Sequence, residues 1–266
     1  MMLSATKTVF ATTFAIGLMA ATTNSEAAIV FADNFEDGTV GQRPNAPQIG
    51  SYPSVAPLIP ESFVRLNGGV YPESVDSGTK VLAVVGKQRN YVTVSASGTG
   101  IVKYDFDLYT NVGTSGGATL STAFGMTGSS GSLSLDSQPT SIWLQLTATG
   151  AVQAYSTSGG AWQTIPGLTT TPGSWNDVSI EYELGATEYT ITVNDTSVVS
   201  TRFNGTTFTN DINYAFVMGG SDAVRAFADN IEVSFSGAAA VPEPASFGLL
   251  AGIAGAAMLR RRRASM

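Results

Sequence analysis

Two aspartates carry the most suggestive chemistry in this chain. Near its start, Ile29, Phe31, Asp33 and Phe35 share one parity; near its end, Phe227, Asp229, Ile231, Val233 and Phe235 do the same. If both stretches are strands, each sets one aspartate on its apolar side. A buried carboxylate is costly unless it meets a cation, a donor or water. Should the first and last strands lie side by side, Asp33 and Asp229 would meet and repel unless something positive sat between them. Calcium suits that place, since it takes about six to eight oxygen ligands, and the carbonyls of the Asp33–Gly38 turn could add to the set. The same spacing also suits aspartates that bond backbone amides at strand ends, or two carboxyls that share a proton.

A second constellation is aromatic. Trp143 falls on the polar side of its run beside Gln145, and Tyr155 and Trp162 flank a Ser/Gly-rich loop. Exposed rings with polar neighbours can stack on sugar rings while the neighbours bond the hydroxyls. These three residues are the expected carbohydrate contacts, with Tyr109 a further ring on the polar side of a strand. Trp175 opens a strand and is expected in the core. The nearest thing to a catalytic carboxylate pair is Glu181 and Glu183. They share parity on a polar face, which a solvated sheet surface explains.

Composition removes whole classes of chemistry. The chain of 266 residues contains neither histidine nor cysteine. That excludes the Ser-His-Asp triad, the histidine base, the thiol nucleophile, disulfides and the usual zinc ligands. Net charge is −7. Between residues 28 and 237 acids exceed bases by about ten. An acidic body repels nucleic acid, so none is expected as a partner. Neutral polysaccharide and divalent cations remain compatible.

The elements that must position these residues read as strands throughout 28–237. In Asp177–Leu184, Val178, Ile180, Tyr182 and Leu184 alternate with polar residues, and Tyr189, Ile191 and Val193 continue the pattern after a turn. Val102, Tyr104, Phe106 and Leu108 oppose Lys103, Asp105 and Asp107. Further strands are expected at 81–85, 91–94, 118–126, 142–146, 151–155, 197–202, 212–218 and 227–235. Short antiparallel strands in this number predict an all-β, two-sheet jelly-roll sandwich, with a closed barrel as the alternative. Prolines 44, 47, 53, 57 and 60 mark residues 43–61 as a long ordered loop crossing one face.

The two ends carry signals of another kind. Residues 1–27 read as a secretory signal peptide: Lys7, an apolar stretch Val9–Ala21 too short to span, and small residues before a cut after Ala27. Residues 238–266 hold Pro242, Glu243 and Pro244, an uncharged run Ala245–Leu259, and Arg260–Arg263. As a helix that run would be about 22 Å long at roughly 1.5 Å per residue. A bilayer core is about 30 Å thick, so the span is marginal. The arginines should hold the cytoplasmic side. Asn194 and Asn204 match a glycosylation acceptor pattern that chance explains in a chain rich in Asn and Thr.

The tail resembles the PEP-CTERM sorting signal of Gram-negative bacteria. The resemblance implies an exosortase-type membrane protease as partner, an inner-membrane-anchored precursor, and a cell-surface or extracellular destination. Within the body, Trp175-Asn176-Asp177-Val178, the strand Tyr189–Val193 and Asp229-Asn230-Ile231-Glu232-Val233 resemble the concanavalin-like group of laminin-G domains and legume-lectin relatives. Asp33-Asn34-Phe35-Glu36-Asp37-Gly38 and the Asp229 strand are similar to the opening and closing strands of several β-sandwich carbohydrate-binding modules. That likeness implies a structural calcium held by Asp33, Glu36 and Asp229. Glucanases of the concanavalin-like group often carry Glu-x-Asp-x-x-Glu on one strand, a pattern absent here. Together these readings predict an exported, surface-sorted, non-enzymatic sandwich that binds exopolysaccharide in the extracellular matrix or biofilm. A glycoside hydrolase or polysaccharide lyase on the same fold is the second reading, and a purely structural surface protein the third.

Overall fold

Alternating side chains set the architecture. A computed structural model of the chain describes residues 27–44, 46–53, 63–66, 80–85, 89–111, 122–128, 141–147, 149–156, 161–203, 210–219 and 225–237. Residues 1–26 of the expected signal peptide (1–27), the segment 238–266 with Pro242, Glu243 and Pro244, and Asn204 lie outside them. The described residues form β1 (Ala28–Asp33), β2 (Phe63–Leu66), β3 (Lys80–Val85), β4 (Arg89–Ser97), β5 (Gly100–Asn111), β6 (Ala123–Thr127) and β7 (Ser141–Leu146). There follow β8 (Ala151–Ser156), β9 (Ala161–Thr169), β10 (Trp175–Glu183), β11 (Tyr189–Val193), β12 (Thr196–Ser200), β13 (Asp211–Met218) and β14 (Arg225–Gly237). Among them no helix is long and apolar enough to cross a membrane.

The strands make two antiparallel sheets. One has eight strands, ordered β12-β11-β10-β5-β14-β3-β2, with β1 also paired to β14; the other has six, ordered β4-β13-β6-β7-β8-β9. Among the described residues each sheet ends on strands paired along one side only, the arrangement of a two-sheet sandwich and not of a closed barrel. Residues from both sheets interdigitate in one core, where the rings of Phe106 on β5 and Phe124 on β6 meet edge to face at 5.5 Å. β2 is only four residues long, and β9 carries Pro166 and Gly167 within an irregular burial pattern at a sheet edge. The proline-rich segment, expected to cross one face, instead links a strand of one sheet to an edge strand of the other over its described part. Ala32 and Ile49 exchange backbone hydrogen bonds of 3.1 Å, and the Thr93 amide donates to the Ser51 carbonyl at 3.3 Å.

β14 is the strand on which the first sheet is built. β5 runs along one side of it; on the other side Arg225–Ala228 pair with β3 and Ile231–Phe235 with β1. The first and last strands are therefore neighbours, as expected. The register of β14 against β5, however, is broken where two residues of β14 intrude between Ala228 and Ile231, both of which point into the core. The extra residue is Asn230, whose φ of +48° is the left-handed conformation Asn tolerates better than most side chains. The bulge reverses the parity. Phe227 and Asp229 stand on the outer face, and Ile231 and Val233 on the inner one.

Candidate functional site

The carboxylates expected to share an ion are kept apart. Asp33 and Asp229 are both buried, but only Asp33 lies on the inner side expected for it; Asp229, expected on the side of Ile231 and Val233, is turned by the bulge to the opposite side of the sheet. Asp33 lies inside. Its Oδ1 accepts the Phe35 amide at 2.7 Å and its Oδ2 the Tyr52 hydroxyl at 2.6 Å. Burial raises its pKa above the ordinary carboxylate value, partly countered by these two hydrogen bonds. Asp229 lies outside, accepting its own neighbour's amide, Asn230, at 2.9 Å. Glu36 turns to a third place, where its Oε1 accepts the Lys80 amide at 2.8 Å and its carbonyl accepts the Lys80 ammonium. Among the described residues no three side chains of metal-ligating type converge. The donor set of Asp33, Glu36 and Asp229 does not fit one calcium. The alternative also read from the spacing, aspartates that bond backbone amides at strand ends, is what these hydrogen bonds describe.

The aromatic residues, by contrast, are brought together. On the outer face of the six-stranded sheet the registers place Tyr91 opposite Phe216, Phe216 opposite Gly125, and Gly125 opposite Trp143. Continuing the Leu144–Ala154 register sets Tyr155 beside Trp143, and Tyr155 pairs with Trp162. One row of five rings thus crosses all six strands. Gly125 interrupts it for a steric reason. A Cβ there would fall 1.8 Å from the Ile142 carbonyl oxygen, at a φ of +154°, and Phe216 already reaches 3.2 Å. With the side chain absent, the Phe216 and Trp143 rings close to 4.7 Å.

The row changes character along its length. Tyr91, Phe216 and Trp143 are buried, and Trp143 is only 1% exposed, so it supports the surface from beneath. Its indole Nε1–H is buried without an acceptor among the described residues. Tyr155 and Trp162 are half-buried, with ring centres 5.3 Å apart and planes at 68°. Beside them runs a second row. Gln145 Nε2 donates to Gln153 Oε1 at 2.8 Å, and Gln153 Nε2 donates to Thr164 Oγ1 at 3.3 Å. The sequence pointed to Trp143, Tyr155 and Trp162. Tyr91, Phe216, Gln153 and Thr164 were not singled out, because only the strand register reveals that they align.

The outer face of the eight-stranded sheet differs. Trp175, Tyr109 and Phe227 stand in one cross-strand row, edge to face at 5.6 and 6.0 Å. Trp175 is therefore in an outer cluster with Val81 and Ala83 and not in the core between the sheets. The next row is Asp177, Asp107 and Asp229, and Asn230 Nδ2 donates to Asp107 Oδ2 at 2.9 Å. Glu181 and Glu183 are exposed on this open face, opposite Lys103 and Ile101.

No family model and no curated protein matches the chain. Similarity is found among solved structures. The carbohydrate recognition domain of Emp47p is similar over 79% of this chain and 96% of its own, at 10% identity and a TM-score of 0.43. A peanut lectin bound to a nine-residue peptide is similar over 66% of this chain and 97% of its own, at 9% identity and a TM-score of 0.45. A sialidase is matched over 64% of this chain but 16% of its own length, at 11% identity and a TM-score of 0.41. Likeness of this degree assigns neither a ligand nor an activity.

Proposed function

We propose that this chain is an exported, surface-sorted glycan-binding protein of the extracellular matrix, and that it is not an enzyme. One observation carries the reading: half-buried Tyr155 and Trp162, backed by the buried Trp143 of the preceding strand, fall in a single row beside a ladder of uncharged hydrogen-bonding side chains. Aromatic faces take the apolar C–H faces of sugars, and carboxamides donate to and accept from their hydroxyls. The body is a lectin-like sandwich of the concanavalin type in this reading, delivered by residues 1–27 and sorted by 238–266. Its membrane partner is an exosortase-type protease that recognises Pro242, Glu243 and Pro244. The non-enzymatic part of the proposal is supported by the lack of histidine and cysteine and by the exposure of Glu181 and Glu183 on an open sheet. Co-sedimentation with exopolysaccharide, for the wild type and for Trp162→Ala, tests it. Retention of the wild type and loss in the variant are expected; equal behaviour of the two would remove the aromatic row from the function.

A further inference from the structure

The part of the aromatic row that solvent reaches is its β8–β9 end, and its shape is specific. Tyr155 and Trp162 meet with planes at 68°. Two rings at that angle make a corner and not a flat strip. A single pyranose ring can lie against one face while the other ring stands at its edge. The flat surface of a crystalline polysaccharide needs several coplanar rings instead. Strands in a sheet are about 4.8 Å apart, so the corner spans one strand spacing and has room for one sugar ring.

The polar atoms beside the corner are also specific. Gln153 is half-buried and Thr164 exposed. Each carboxamide offers two donor hydrogens and two acceptor positions. The ladder uses one donor and one acceptor of Gln153, which leaves one of each for a ligand hydroxyl. Trp143, Tyr155 and Trp162 in one row, and Gln145, Gln153 and Thr164 in the next, include no acid and no base. The base at this edge, Arg202, donates its Nε to Gln163 Oε1 at 2.9 Å. Gln163 neighbours Trp162 and so has the opposite parity. An anionic sugar seated in the corner would surrender its hydration without meeting a cation among the described residues that form it. It would also have to approach a chain of net charge −7.

We propose that the corner formed by Tyr155, Trp162, Gln153 and Thr164 binds single, uncharged glycan chains, and discriminates against crystalline polysaccharide and against polyuronate or sulfated polymers. This rests on the glycan-binding reading of the same row and narrows its ligand class. With no titrating carboxylate, amine or imidazole in the corner, binding is independent of pH between about 5 and 9, and it needs no metal.

The experiment uses the full chain in mild detergent, with affinity electrophoresis in soluble mixed-linkage β-glucan, galactomannan, alginate and a sulfated galactan, and a depletion assay on crystalline cellulose. The expected result is retardation by at least one soluble neutral polymer, unchanged by EDTA and across that pH range. Trp162→Ala weakens it at least tenfold and Trp162→Phe less than threefold. Should Trp162→Ala not fold, Gln153→Leu, which removes the hydrogen bonds at similar volume, is expected to lose tenfold. Stronger binding to alginate, the sulfated galactan or cellulose, sensitive to Trp162→Ala or Gln153→Leu, overturns the proposal while leaving glycan binding standing. No retardation or depletion by any polymer overturns both.

Discussion

Asp33 is a structural residue with a measurable electrostatic signature. Its carboxylate holds the Phe35 amide and the Tyr52 hydroxyl, and so joins the end of β1 to the segment that crosses between the sheets. Burial raises its pKa, so the folded protein holds this proton more tightly than the unfolded chain does. The stability contributed by protonated Asp33 is complete below the unfolded value of about 3.9 and is lost as pH rises through the raised folded value. Denaturation from pH 3 to 7 is therefore expected to show Asp33→Asn gaining stability relative to wild type as pH rises; a difference that is flat with pH would refute the buried-carboxylate account. Trp143 poses a second test. A buried donor without an acceptor costs about 1–3 kcal/mol, while losing part of a large ring costs packing. The two effects oppose one another in Trp143→Phe, for which a change within about 1.5 kcal/mol is expected in chemical denaturation. Trp143→Ala leaves a cavity and should cost about 3–5 kcal/mol.

At the scale of elements, two local departures from ideal strands decide the surface. The first is the bulge at Asp229 and Asn230. It rotates Asp229 to the outer face, lets Phe227 join Tyr109 and Trp175, and returns Ile231 and Val233 to the core. Asn230→Gly, which permits the left-handed φ, should stay within about 1 kcal/mol. Asn230→Val places a β-branched residue there and should cost about 1–2 kcal/mol. Equal melting temperatures for the two variants would mean that the bulge is not held by this residue. The second departure is Gly125 in β6. Gly125→Ala drives a Cβ into the Ile142 carbonyl at a positive φ, so it is expected to cost at least about 2 kcal/mol. It should also part Phe216 from Trp143, visible as altered near-ultraviolet circular dichroism.

Among the described residues the two outer faces differ in charge. The six-stranded sheet sets half-buried Tyr155 and Trp162 beside carboxamides, and the eight-stranded sheet sets Asp107, Asp177, Glu181 and Glu183, with Lys103 among them, beside the rings of Trp175, Tyr109 and Phe227. An acidic back keeps such a protein from collapsing onto anionic polymers while the neutral face stays available. Since Asp33, Glu36 and Asp229 lie apart and no three metal-ligating side chains converge among the described residues, chelator is expected to leave the melting temperature unchanged; a drop with EDTA, restored by calcium, would bring back a metal site. For the tail, replacing Pro242 and Pro244 with alanine is expected to trap a full-length precursor in the inner-membrane fraction, read by immunoblot, and normal processing would sink the sorting proposal. Much of the body was legible from the sequence, because period-two alternation at Val102–Leu108, Val178–Leu184 and Tyr189–Val193 fixes which side of a strand is buried. The inward placement of Asp33 followed from the same rule, and the first and last strands pair as expected. Which strands become neighbours, and at what offset, is another matter. Cross-strand register depends on contacts between residues far apart in sequence, and one inserted residue inverts a face. So the sequence alone determined a cysteine- and histidine-free, acidic β-sandwich with rings on its polar faces. Only the tertiary structure decided that Asp33 and Asp229 part company at a bulge, and that five rings on five strands close into one row around a glycine.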